Sequence, residues 1–214
     1  MAAKKKEGGV ERSWRRIESW FADRHPEVAL GLAKGASEKS IAAAEKKLGA
    51  RFPPDVRASF LVHDGQVDEP GVQLWPWARR LGSLESLTAC WTGDRKYFDE
   101  RTMAERLDWL SDDRKVRQVH LHPRQVPLGG SRHWDYGRLL VDLIPGPEGV
   151  EGQIIARDDI DLVFVAPSFG ALLDRIATGL EDGTMVLEGE GDERVLGYRK
   201  KRGKRLFAAK YFAS

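Results

Sequence analysis

One cysteine, three methionines and no long apolar run set the first limits on this 214-residue chain. A single thiol, Cys90, excludes an internal disulfide and any zinc site built from cysteines. No stretch approaches the roughly 20 apolar residues a membrane helix needs. The first ten residues, MAAKKKEGGV, are basic but lack the apolar segment of a secretory signal. Together these absences predict a protein of a reducing cytoplasm. Phosphate-binding motifs are also missing: there is no GxxxxGK[ST] loop, and Gly189-Glu190-Gly191 lacks the third glycine of a dinucleotide fingerprint. Nor is there a GxSxG nucleophile elbow. What is present is 41% hydrophobic and 32% charged residues, enough for one full domain with extensions.

The net charge of +2 is unevenly spread. Residues 1–16 carry +4, and residues 197–214 carry seven basic residues and no acid. Subtracting +4 and +7 from +2 leaves −9 for residues 17–196. An acidic body repels nucleic-acid backbones and attracts basic proteins. The basic tail is therefore expected to pair with the body, through Glu188, Glu190, Asp192 and Glu193, in preference to nucleic acid, although Tyr198, Phe207, Tyr211 and Phe212 could stack on bases.

Periodicity gives the elements. Trp14, Ile17, Trp20 and Phe21 mark an amphipathic helix over 11–22, stopped at His25-Pro26. Ser37 caps a second helix with Ile41, Ala44 and Leu48 inward, and Gly49 ends it. Pro53-Pro54-Asp55 opens a third, ending at Asp64-Gly65. Residues 72–75 suggest a short strand, Ser83 caps a helix with Leu84, Leu87 and Trp91, and 101–110 suggests another helix. The stretch 111–137 reads as mostly loop. Three closely spaced strands follow, 138–144, 152–156 and 161–166, a spacing that requires an antiparallel meander. Ser168 caps a final helix that Gly183 closes. The predicted class is α+β: a mostly antiparallel sheet covered by N-terminal and C-terminal helices. The expected division is a basic, disordered 1–10, a domain over 11–183 and a basic extension over 184–214.

Few residues suggest chemistry. His120, His122 and His133 cluster, and an HxH pair on a strand puts both rings on one face, but no carboxylate stands at a diagnostic spacing, so no metal is predicted. Asp158, Asp159 and Asp161 crowd a turn without the ligand alternation of a calcium loop. Cys90 beside Trp91 reads as a buried structural thiol. No cofactor is expected. Of the seven tryptophans, Trp14, Trp20, Trp91 and Trp109 fit apolar helix faces. Trp75, Trp77 and Trp134 fall in loop-like contexts, where they either cap the core or serve as interface anchors.

The run GASEKSIAAAEKKLGARFPPDVRASFLVHDGQ (35–66) and the block LLVDLIPGPEGVEGQIIARDDIDLVFVAPSFGALLDRI (139–176) resemble the SUKH superfamily. It comprises fungal Smi/Knr-like cell-wall assembly regulators and many bacterial toxin-immunity proteins. The resemblance covers about residues 14–182. The charged stretch 94–118 and the tail after 184 lie outside its pattern. It implies a non-enzymatic α+β domain that acts by binding proteins. The positions it carries over are Gly65 at a helix-ending turn, Trp75, Asp142, and Gly152 with Gln153. With the exposed-anchor argument, the candidate partner-binding residues are Trp75, Trp77, Trp134, Asp142 and Gln153, and Gly65 is a structural turn. The leading expectation is an immunity-type module sequestering a toxin such as a basic nuclease. The second is a regulatory scaffold in cell-wall assembly or growth control. The third is a metal-dependent hydrolase using the three histidines.

Overall fold

The computed structural model describes residues 8–67, 72–75, 80–98, 114–119, 121–131, 134, 137–158, 161–190 and 194–199, with Asp158 and Asp161 described by backbone alone. Among these residues the helices are α1 (Gly9–Arg24), α2 (Glu38–Leu48), α3 (Pro54–Val62), α4 (Leu84–Asp94) and α5 (Phe169–Asp182). The strands β1 (Arg80–Leu81), β2 (Gln125–Gly130), β3 (Arg138–Asp142), β4 (Gln153–Asp158) and β5 (Asp161–Ala166) form one sheet in chain order, antiparallel throughout. A separate hairpin pairs β6 (Met185–Glu188) with β7 (Val195–Tyr198). This is the α+β architecture the sequence predicts.

Local chemistry sets the helix limits. Ser37, Ser83 and Ser168 each accept a backbone N–H three residues on, at 3.1 Å, which satisfies a donor the helix start leaves unpaired. Gly49 and Gly183 end α2 and α5 in the left-handed conformation. Val10, Trp14, Ile17 and Phe21 form the buried stripe of α1, and Phe169, Leu172, Leu173, Ile176 and Leu180 that of α5. The two helices pack on each other. Arg16 closes the seam, donating to Asp174 at 2.7 Å and to Glu181 at 2.8 and 2.5 Å. Inside, the Trp14 indole donates to Ser59 Oγ at 2.9 Å and ties α1 to α3.

The sheet divides its side chains by strand alternation. Leu139, Val141, Ile154, Ala156 and Val165 join the large core under the helices. Leu140, Ile155 and Leu162 join a second, small cluster with Val116 and Phe164. Both faces are therefore covered, one by helices and the other by the segment 114–119.

Two expectations change. The stretch 111–137 is not mostly loop among its described residues, because β2 runs through it and every residue of β2 is buried. Pro127 and the pair Gly129-Gly130 disguise the strand. A register shift between Pro127 and Gly129 accommodates the proline, and β1 pairs only with Gly129 and Gly130. The short apolar pieces after Gly183, read as a tail, form β6 and β7. Met185 and Leu196 are each 1% exposed and belong to the main core, and β7 is bridged to Gln73. The helix expected over 101–110 lies outside the described residues, as do residues 200–214 of the basic tail.

A limit at Gly183 would thus cut through packed structure. Burying each of these two side chains contributes about 1.5–3 kcal/mol, so ending the chain at Gly183 should lower stability by roughly 3–6 kcal/mol. Thermal unfolding followed by circular dichroism should show a Tm drop of about 10 °C or more. An unchanged Tm would mean that the hairpin is separable from the body.

Candidate protein-binding site

Asp142 and Gln153 sit opposite each other on β3 and β4, with Gln125 beyond Asp142 on β2. The first two are 0% exposed. Asp142 accepts from Gln153 Nε2 at 2.8 Å and from the Ile144 N–H at 3.1 Å. The same Gln153 Nε2 donates to the Lys115 carbonyl at 2.7 Å, and Gln153 Oε1 accepts from the Val150 N–H at 3.1 Å. Gln125 Nε2 donates to the Arg117 carbonyl at 3.3 Å, and Gln118 Nε2 to the Leu162 carbonyl at 2.9 Å. The row of polar side chains therefore pins the segment 114–119 across the sheet. Burial pushes the Asp142 carboxyl above its ordinary range, against the opposing bonds from Gln153 and Ile144 and the charge of Arg117. Both residues are interior, so they shape the fold and offer no contact surface in this conformation.

Trp75, a candidate anchor, is also interior. It is 1% exposed, with its ring centroid 5.6 Å from Phe169 and 6.3 Å from Trp14. The loop-like sequence around it conceals a core tryptophan. Trp77 lies outside the described residues, as do His120 and His133. His122 is half-buried, and its Nδ1 accepts from the Arg124 N–H at 3.1 Å. Burial, then Arg117 and Arg124, lower its basicity. Among the described residues no group of three His, Cys, Asp or Glu side chains could hold a metal. Burial pushes the Cys90 thiol up to about 11, the state of an unreactive thiol. Asp158 and Asp161 pair across the β4–β5 turn.

Among the described residues, Trp134 is the one sequence-predicted anchor that reaches a concave surface. It lines a half-open groove of about 380 Å³, together with Asp64, Val67, Arg80, Ser131 and the start of α4 at Ser83. Its backbone has φ +59°, unusual for a bulky residue. Its N–H donates to the Ser131 carbonyl at 3.1 Å, and its own carbonyl accepts from Arg138 Nη2 at 3.2 Å. Arg138 is in turn paired with Asp94 at the end of α4. The indole rests on glycine: a Cβ on Gly130 would stand 2.8 Å from the ring, and one on Gly82 3.0 Å.

Gly65 lies between two lining residues, Asp64 and Gln66. Its φ is +81°, and a Cβ there would come within 2.4 Å of the Ser83 backbone nitrogen. This close approach lets Asp64 Oδ1 accept the Leu84 N–H at 2.8 Å, capping α4. The neighbouring Gln66 was not singled out from the sequence. Its Nε2 donates to the carbonyls of Leu30 and Val72, at 2.9 and 2.7 Å, and its Oε1 accepts from the Leu81 N–H at 3.1 Å. Its position right after His63-Asp64-Gly65 was the available signal.

Replacing Gln153 by Leu tests the interior pair. The change leaves one Asp142 carboxylate oxygen and the Lys115 carbonyl without their donor, and each buried group without its partner costs about 1–3 kcal/mol. Losing that bond raises the folded-state pKa of Asp142 further. A carboxyl whose folded pKa lies above its unfolded value loses stability as pH rises from the unfolded value of about 4 through the folded one. Urea unfolding of Gln153→Leu should therefore show a larger penalty at pH 8 than at pH 4. An equal penalty at both would remove Asp142 as its source.

Residues 35–175 match the SMI1 / KNR4 family (SUKH-1). The cell wall biosynthesis/cell cycle regulator smi1 of Schizosaccharomyces pombe is 28% identical over 205 residues, covering 90% of this chain and 40% of that protein. The cell wall assembly regulator SMI1 of Saccharomyces cerevisiae is 28% identical over 215 residues, covering 85% and 42%. The glucan synthesis regulatory protein of Neurospora crassa is 27% identical over 218 residues, covering 86% and 41%. The chain thus spans about two fifths of the length of these curated relatives. Among the described residues no helix is long and apolar enough to cross a membrane. The family match takes in the first sequence block, the second as far as residue 175, the polar row under segment 114–119 and the groove from Asp64 to Trp134, and on that extent the chain belongs to the SMI1 / KNR4 family (SUKH-1).

Proposed function

We propose that this chain is a non-catalytic, cytoplasmic protein-binding module, acting as a regulatory scaffold in cell-wall assembly or growth control. The observation that carries the reading is the groove at Trp134. An indole seated on two glycines beside half-buried polar groups suits an interface anchor. The names of these three relatives, each a regulator, support the same choice. Immunity against a toxin, the leading expectation from sequence, becomes the second reading. It retains the support of the −9 charge over residues 17–196, which suits a basic partner. We take residues 9–198, from the start of α1 to the end of β7, as the working limits of the module.

Deleting the gene in its own organism should raise sensitivity to a wall-lytic enzyme. The wild-type chain should restore resistance, and a folded Trp134→Ala chain should not. Normal wall resistance after deletion, combined with killing by a toxin encoded beside the gene, would transfer the function to immunity.

A further inference from the structure

The groove carries a preference that its shape alone does not express. Asp64 spends one carboxylate oxygen on the α4 cap, at 2.8 Å from the Leu84 nitrogen. Its second oxygen accepts no hydrogen bond from any described residue, and Asp64 lines the groove. Two residues before Leu84, Gly82 lies under the Trp134 ring. Asp64, bonded to the start of α4, and the Trp134 ring, packed against Gly82, therefore line the same groove. Trp134 is also without a described partner for its indole N–H, and Val67, 49% exposed, extends the rim.

A carboxylate and an aromatic ring in one groove select a cation, through a charge-assisted hydrogen bond and attraction to the π face. Guanidinium suits the pair better than ammonium, because its plane stacks on indole while its N–H fork meets the carboxylate. The rest of the body favours a cationic visitor, with −9 over residues 17–196. Arg80 stands on the rim and opposes it, but Arg80 is engaged within the chain. We infer that the groove binds an arginine side chain of a protein partner, stacked on Trp134 and paired with Asp64. The inference rests on the reading of the groove as the partner site and adds the chemistry of the residue it takes.

The test uses the full chain and three short peptides, identical except for a central arginine, lysine or citrulline. Binding is read from the Trp134 indole N–H cross-peak in two-dimensional NMR, assigned with Trp134→Phe. The arginine peptide should shift that peak saturably. Lysine should bind more weakly, and citrulline, which keeps the shape without the charge, should weaken binding at least about tenfold. Asp64→Asn keeps the oxygen that caps α4 and removes the charge, and it should cost about the same factor. Raising salt should weaken the arginine peptide more than the citrulline one. No saturable shift with arginine, equal binding of citrulline, or full binding by a folded Asp64→Asn chain would each overturn the inference. If arginine fails while Trp134→Ala still abolishes rescue of wall resistance, the groove remains the partner site and only its preference for a cation falls.

Discussion

The hydrogen bond between Gln153 and Asp142 is the contact on which the second face of the sheet depends. A five-stranded antiparallel sheet with Leu140, Ile155, Leu162 and Phe164 on its outer side cannot leave that side in water without exposing an apolar patch. Helices cover the inner face, and among the described residues the irregular segment 114–119 lies over the outer one. An irregular segment has no internal ladder to satisfy its backbone, so the sheet must supply the partners. Gln153 does this with one amide. Its Nε2 binds both the Lys115 carbonyl and Asp142, and its Oε1 holds the turn at Val150. Asp142 is needed because a doubly used donor in the interior is best balanced by a strong acceptor, and its raised pKa records the desolvation this requires.

How far the sequence could be read follows from the range of the interactions. The helices were legible because their signals are local: a serine cap, a stripe at helical spacing and a terminal glycine lie within one segment, as in α2 and α5. The β3–β5 meander was legible because its turns are short. β2 was hidden because Pro127 and its glycines are permitted only by a register shift opposite β3, a tertiary condition that no window of sequence contains. The hairpin β6–β7 was hidden for a related reason. Met185 and Leu196 read as isolated apolar residues in a charged stretch, and become core only when β7 docks beside Gln73.

The candidate site divides in the same way. Asp142 and Gln153 were found by resemblance, but their burial turns a surface role into a structural one. Trp75 and Trp134 look alike in sequence, each near proline or glycine and outside any periodic stripe. What separates them is the neighbour. Trp75 meets Phe169 and Trp14 across the core, whereas Trp134 packs on two glycines and stays half-buried at the groove. Asp64 and Gln66 carry no signal of their own beyond adjacency to Gly65, whose positive φ sets the direction of both.

The edges of the sheet explain why recognition should fall to a groove. An open edge strand is a ready site for adding a strand from a partner. In this fold the outer edge of β1 is closed by Gln66, which accepts the Leu81 N–H through its side chain and donates its own N–H to the Leu81 carbonyl at 3.0 Å. On β5, Gln118 takes the Leu162 carbonyl and Arg175 the Val165 carbonyl, at 2.9 and 3.0 Å. Part of the backbone is thus already engaged on both flanks of the main sheet, which disfavours the addition of a strand there. The short β1 creates the place for a groove. Because β1 has only two residues, the chain turns at Gly82 directly into α4, and β2 ends beside it at Gly130. The hollow between those two ends is where Trp134 is seated.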